Sequence, residues 1–187
     1  MSLKNNKNTK KTKKTKKQKI QKAHHNINSN IVKAICVLHK NNYGITGIIS
    51  FKQNLNASRV KISYNIKGLK DGKHGFHIHE YGDLTDGCTS SCAHFNPFNT
   101  THGGRKSRER HVGDLGNITS KNNIAKGSFY DTMISLDVKN ICNIIGRSIV
   151  IHKDPDDLGN GGNDESLITG NAGKRLACGI IGLQKLC

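Results

Sequence analysis

Histidines stand where metal chemistry needs them. His77 and His79 lie two apart in a stretch that alternates like a β-strand, so both side chains point to one face. Two imidazoles on one face can share a metal ion. His94, His102 and His111 follow, with Asp114 three residues beyond the last. Three imidazoles and one carboxylate form the donor set of a closed tetrahedral zinc site. His152 ends a further apolar run. Six histidines and one aspartate exceed the needs of one four-coordinate ion. The surplus predicts two adjacent sites, one rich in nitrogen for copper and one with a carboxylate for zinc.

The elements that must position these residues follow from the hydrophobic pattern. Val60, Ile62, Tyr64 and Ile66 alternate with Lys61, Ser63, Asn65 and Lys67, the signature of a half-buried strand. Segments 31–38, 43–51, 75–79, 128–136, 148–152 and 176–183 also read as strands. No amphipathic helix of ten residues stands out. Many short strands separated by Gly, Asn and Asp predict an all-β sandwich or barrel. Residues 80–112 and 153–174 carry little strand pattern. Loops this long in a compact domain are usually functional, and both are dense in His, Asp, Gly and Asn.

The charge is lopsided. The 187 residues hold 30 Lys and Arg against 13 Asp and Glu, a net +17. Ten of the Lys fall within residues 1–22, which contain no acid. The rest carries 20 basic and 13 acidic residues, a net +7. Segment 1–30 is low-complexity Lys, Thr, Asn and Gln, and is expected to be a disordered, solvated tail. A nuclear-import address or a nucleic-acid contact is the sharper reading of the same charge. No apolar run is long enough for a membrane helix, and no apolar stretch follows the basic start as in a secretory signal. A reducing compartment is therefore expected, where thiols usually stay free. Six Cys are present but no C-x-x-C pair, so a structural zinc finger is not expected.

At these residues the chain resembles the copper/zinc superoxide dismutases. Gly75-Phe76-His77-Ile78-His79-Glu80 resembles one signature of that family. The family's spacing continues through His94-Phe95-Asn96-Pro97, His102-Gly103-Gly104 and His111-Val112-Gly113-Asp114-Leu115-Gly116-Asn117. Its C-terminal signature is matched by Gly170-Asn171-Ala172-Gly173-Lys174-Arg175-Leu176-Ala177-Cys178-Gly179. The resemblance spans about residues 31–183 and leaves the tail outside.

The resemblance implies a Greek-key β-barrel or sandwich of about eight strands, with a long metal-binding loop and a long electrostatic loop, in a domain covering 31–187. It implies conversion of superoxide to dioxygen and hydrogen peroxide. Copper would be held by His77, His79, His94 and His152, and zinc by His94, His102, His111 and Asp114. His94 would bridge the two metals and move a proton. Arg175 would hold the substrate anion. Asp156 would hydrogen-bond one ligand of each metal, and Cys88 and Cys178 would form a disulfide. Thr169, Asp164 and Glu165 would line the channel.

The same resemblance implies a homodimer through the apolar Ile180, Ile181 and Leu183, a copper chaperone as a partner, and a cytoplasmic location. If the gene belongs to a large DNA virus, that is the host cytoplasm, and nucleus or virion are alternatives. The functional alternative is a catalytically weak metal buffer or copper-chaperone decoy of the same fold. Such relatives usually lose a copper ligand or the channel Arg, and here all are present.

Some positions depart from the family. Ile168 stands where a Lys is common. Cys92 stands where a small residue or Gly is usual, and is expected to be an idle thiol, although it lies four residues from Cys88. Ala93 replaces a frequent Pro. Cys36 and Cys142 are expected to be free, and Cys187 is a candidate for an intermolecular link. His74 is expected to bond backbone rather than metal, His24, His25 and His39 to be solvated, and Glu109 and Arg110 to pair locally.

Overall fold

The computed structural model describes residues 30–185. The Lys-rich segment, His24, His25 and Cys187 lie outside the described residues. By its internal contacts the chain divides after Ile31, and the unit from Val32 onward carries the structure that follows.

Eight antiparallel strands form a nearly closed barrel: β1 (Ile31–Leu38), β2 (Thr46–Asn54), β3 (Val60–Lys67), β4 (Gly72–His79), β5 (Asp114–Ser120), β6 (Ile124–Asp131), β7 (Ser148–His152) and β8 (Arg175–Leu183). Their spatial order is β5-β4-β7-β8-β1-β2-β3-β6. The chain leaves β3 for β4 and β6 for β7 without pairing the consecutive strands, which is Greek-key connectivity.

Alternation builds the core. Ile49 and Phe51 of β2, Val60, Ile62 and Ile66 of β3, and Phe76 and Ile78 of β4 all point inward. Each fully buried side chain of this size contributes about 1.5–3 kcal/mol. β4 and β7 differ from the others because both of their faces are covered. In β4, Phe76 and Ile78 enter the core, so parity sends His77 and His79 to the outer face. In β7, Ile149 and Ile151 enter the core and His152 takes the outer face. The long loops 80–113 and 153–174 close over that face.

Two expected strands are displaced, β4 begins at Gly72, three residues before the expected segment 75–79, and β5 lies outside the expected set. The segment read as 128–136 is β6, which begins at Ile124 and stops at Asp131. There the carboxylate accepts the backbone N–H groups of Met133 (2.8 Å) and Ile134 (3.1 Å), turning the chain out of the ladder. The segment read as 43–51 is β2, which starts at Thr46. β5 is absent from the expected strands because its alternation is broken: Leu115 and Ile118 are both core residues although three apart. Gly116, at φ +72°, sits where the β4–β5 register is irregular, and such a bulge shifts side-chain parity. Within the second loop lies a single helical turn, α1 (Ser166–Thr169).

Ile181 was expected at a dimer contact. It is fully buried in the core, while Ile180 and Leu183 are 48% and 67% exposed. Arg110 was expected to pair with Glu109. It is only 3% exposed and instead pairs with Asp131 (2.6 Å) and donates to the carbonyl of Asp114 (2.8 Å). Glu109 instead accepts the Thr101 backbone N–H. Cys92 is exposed, at φ +64°, and Cys36 and Cys142 are buried thiols.

A disulfide joins Cys88 to Cys178, 90 residues apart, and ties the first loop to β8. Closing a chain segment of that length restricts the unfolded state by about 4–5 kcal/mol. Cys178→Ser should therefore lower unfolding free energy by a comparable amount, read from the denaturant midpoint of the oxidised protein.

Candidate metal centre

Backbone pairing places the first loop. Phe95 donates to Ile78 O (2.9 Å), Ile78 to Gly113 O (2.9 Å) and Gly113 to Phe95 O (2.9 Å). These bonds seat His94 beside His79 in an isolated bridge. A Cβ on Gly113 would collide with the Ile78 carbonyl, so the crossing depends on glycine there.

Three groups of ligand atoms result, each within 4.8 Å: His77, His79, His94 and His152; His94, His102, His111 and Asp114; and His77, His102 and Asp156. All of these residues are buried. In the first group, Nε2 of His79 lies 3.3 Å from Nε2 of His152. Their other nitrogens are held by backbone: His79 Nδ1 faces Cys92 O (2.8 Å) and His152 Nδ1 faces Gly173 O (3.0 Å). In the second, one oxygen of Asp114 is approached by Nδ1 of His94 (2.9 Å), His102 (3.0 Å) and His111 (3.2 Å). Its other oxygen accepts the backbone N–H of His111 (2.8 Å) and Gly103 (3.0 Å).

Asp156 joins the two groups. Its oxygens meet Nε2 of His77 (2.9 Å) and Nε2 of His102 (2.8 Å). It is itself fixed by Asn117, which accepts its backbone N–H and donates to its carbonyl, both at 2.8 Å. Carboxylates in this position orient imidazoles and sharpen their basicity.

The fit to metals shows in what is left unpaired. His77 Nδ1, His94 Nε2 and His102 Nδ1 are buried without a hydrogen-bond partner. His102 Nδ1 is near Asp114 but not aligned for a hydrogen bond. Three orphaned nitrogens in one pocket would be costly without an ion to receive them. The donor types agree: four imidazoles suit copper, and three imidazoles with one carboxylate suit zinc. The spacing agrees as well, since a tetrahedral ion with bonds of about 2.0 Å separates its donors by about 3.3 Å.

The electrostatics prepare the donors. Burial, reinforced by the neighbouring His77, pushes His94 down to about 3. Burial pulls His152 down to about 4, against the Gly173 carbonyl. Both are neutral at pH 7 and offer lone pairs without proton competition. His102 goes the other way. Burial would lower it, but the Asp114 and Asp156 carboxylates outweigh that and raise it to about 9. Before metal binds, His102 therefore carries an extra proton at pH 7 that zinc must displace. Zinc binding at pH 7 should release about one proton per chain, and release should fade above about pH 9. Calorimetry in two buffers of different ionisation enthalpy reads this directly. Equal heats in both buffers would mean that His102 is neutral.

An open cleft of about 570 Å³ reaches His79, His94 and His152 and is lined at its mouth by Glu165, Ile168, Thr169, Lys174 and Arg175. Arg175, at the start of β8, donates from Nη1 to Cys88 O (2.6 Å) and from Nη2 to Cys92 O (2.6 Å). Thr169 Oγ1 donates to the Glu165 carboxylate (2.6 Å). Asp164, expected in the channel with Glu165, is not among the lining residues. Its carbonyl accepts the Leu167 N–H (3.0 Å) in the approach to α1. The ring nitrogens of His74 face the carbonyls of His152 (2.9 Å) and Lys70 (2.8 Å), so it bonds backbone as expected. Two contributors escaped the sequence reading. Lys174 shares the cleft with Arg175, and its place in the C-terminal signature was the available hint. Gly170, at φ +66°, leaves the space in which Asp156 meets His102.

Fold and site together define a β-barrel metalloprotein with two adjacent sites that share one histidine. Residues 45–181 match the copper/zinc superoxide dismutase family. The chain is 59% identical over 158 residues to a Cu-Zn superoxide dismutase of Paramecium bursaria Chlorella virus 1, covering 83% of this chain and 82% of the relative. It is 55% identical over 156 residues to Cu-Zn superoxide dismutase 5 of Dictyostelium discoideum, covering 83% and 100%. It is 49% identical over 155 residues to a Cu-Zn superoxide dismutase of Saccharomyces cerevisiae, covering 82% and 99%. The chain belongs to the copper/zinc superoxide dismutase family.

Proposed function

We propose that this chain converts superoxide to dioxygen and hydrogen peroxide, holding copper on His77, His79, His94 and His152 and zinc on His94, His102, His111 and Asp114. The observation that carries this reading is the trio of buried, unpartnered nitrogens on His77, His94 and His102. Copper, when bound, supplies a one-electron couple, and zinc supplies a fixed charge.

The chain's own residues do the rest. Two superoxide anions and two protons give one dioxygen and one hydrogen peroxide. His94 is anchored through Nδ1 on the Asp114 side, and its buried Nε2 has no hydrogen-bond partner; with Nδ1 committed to the zinc group, the neutral ring would carry its one proton, drawn from water, on Nε2 and deliver it to the peroxide formed at the cleft floor, the second proton coming from water. The Arg175 guanidinium, held by loop carbonyls, orients the anion there. Asp156 keeps His77 and His102 in the required tautomer. Thr169 and Glu165 shape the rim, and Asp164 flanks it. Cys88–Cys178 keeps the loop that supports Arg175 in place.

The test is metal analysis with superoxide consumption on protein reconstituted with both metals. About one copper and one zinc per chain with rapid consumption is expected, and Arg175→Ala should slow it about tenfold or more. Both metals bound without consumption would overturn the reading in favour of a metal buffer. No observation favours that alternative, since a buffer has no use for a guanidinium in the cleft.

The reading extends to partners. A second copy is proposed on the groove lined by Ile35, Val37, His39, Leu84 and Ile180, beside the disulfide. Two-fold self-association is the commonest oligomer form, and the mass in solution with Ile180→Asp tests it. A copper chaperone is a further proposed partner, answered by whether copper salt alone loads the site. Nucleic acid is another, through the Lys-rich segment, answered by salt-sensitive DNA binding that disappears on deleting residues 1–30. A cytoplasmic site of action, in the host cell if the gene is viral, is supported by three thiols left free among the described residues.

A further inference from the structure

The outer face of β2, β3 and β6, remote in the sheet order from the metal-bearing β4 and β7, carries one sign of charge. Strand parity turns Lys52 of β2, Lys61 and Lys67 of β3 and Lys126 of β6 outward, opposite in sense to the core residues Phe51, Ile62 and Ile66. All four lysines are exposed, and Arg59, also exposed, lies over the Tyr130 ring of β6 at 4.5 Å. The register sets Lys52 directly opposite Lys61, and Lys61 opposite Tyr130. Like charges directly opposite each other cost stability. No outward position of these three strands holds Asp or Glu. Among the described residues none of the five cations enters an ion pair. The acids at the strand ends are engaged elsewhere. Asp131 is buried and pairs with Arg110 (2.6 Å), and Asp71 accepts the backbone N–H groups of Asn122 (2.9 Å) and Asn123 (2.7 Å).

The middle of the face supplies hydrogen-bonding groups. Ser50, Ser63 and Ser128 form one row across the three strands, and Asn65 stands beside Lys126 in the next. Hydroxyl, amide and ammonium groups are the side chains that hold phosphate and sugar oxygens. Tyr130 is 52% exposed and adds a ring on which a base can stack. Exposed apolar side chains on the face are Ile48 and Ile124, in separate rows, too little apolar surface to enter a lipid bilayer. A single strand can follow a convex barrel wall, whereas a stiff duplex meets it only along a line.

We propose that the outer face of β2, β3 and β6 is a docking surface for single-stranded nucleic acid. Lys52, Lys61 and Lys126 hold its phosphates, and Tyr130 stacks one base. This surface is separate from the Lys-rich segment and does not depend on the dismutase reading. The experiment uses the full chain and a fluorescent single strand of about 20 nucleotides, with anisotropy read from about 50 to 200 mM salt. The triple variant Lys52→Gln, Lys61→Gln, Lys126→Gln should lower affinity about tenfold or more at low salt. It should also flatten the slope of log affinity against log salt by about 2, since each phosphate contact on a single strand contributes about 0.7. The same three positions changed to Arg should keep both, which separates lost contacts from lost folding. Tyr130→Ala should lower affinity about fivefold, and Tyr130→Phe should not. A control triple, Lys40→Gln, Lys73→Gln, Lys139→Gln, removes the same charge from exposed positions off this face and should leave the slope unchanged.

Equal losses in the two Gln triples would assign binding to net charge and overturn the proposal. So would unchanged affinity in the face triple, which would leave all binding to the Lys-rich segment. Capture by vesicles containing phosphatidylserine, lost in the face triple while the oligonucleotide is unaffected, would make the face a membrane contact instead. Tighter binding of a duplex of the same sequence, with no effect of Tyr130→Ala, would overturn the single-strand assignment.

Discussion

His152→Ala should abolish superoxide consumption while sparing the fold and the zinc group. His152 ends β7, and its Nε2 meets that of His79 at 3.3 Å. It belongs to the four-imidazole group and not to the group built on Asp114. Losing a residue that merely orients a metal ligand costs about 10–100-fold, so losing a ligand itself should cost at least about 100-fold in rate. The side chain faces the loops rather than the barrel core, so stability should fall little. Stopped-flow superoxide decay and metal content on the same preparation check this. The expected result is about one zinc per chain, little copper and negligible activity. Activity above about a tenth of wild type would remove His152 from the ligand set.

Asp156→Asn and Gly170→Ala should each weaken both metals, by two different routes to one defect. Asp156 accepts from His77 of one group and His102 of the other. An asparagine keeps the shape but turns one acceptor into a donor, setting N–H against N–H at one of the two rings. Gly170 leaves the carboxylate untouched. Its φ of +66° already disfavours other residues, and a Cβ there would overlap both Asp156 Oδ1 and His102 Nε2. Either change should cost about 10–100-fold in affinity for each metal, read by chelator competition on copper and zinc separately. A loss confined to zinc would mean that Asp156 does not couple the two groups.

The strand reading succeeded where side-chain parity survives unbroken. β3 alternates through all its positions, and β1, β7 and β8 fall close to where their apolar runs lie. It failed at β5, where the Gly116 bulge breaks parity, and past Asp131, where a carboxylate turns a β-prone segment out of the sheet. Arg110 misled for a related reason. A charged residue beside Glu109 reads as a surface pair, and nothing local tells that Asp131 lies within reach in the folded chain.

The residues by themselves determined the donor chemistry. Imidazole and carboxylate types, their order, and the parity that turns His77 and His79 to one face are local properties. The C-terminal signature and the histidine spacing were enough to indicate the family. Only the tertiary structure decided which nitrogens are orphaned, that Asp156 spans the two groups, that Ile181 serves the core, and that Lys174 rather than Asp164 lines the mouth. Those outcomes depend on the paths of two long loops. Strand pairing, a disulfide joining residues 90 apart, and buried hydrogen bonds set those paths, and such contacts between distant segments leave no periodic trace in the sequence.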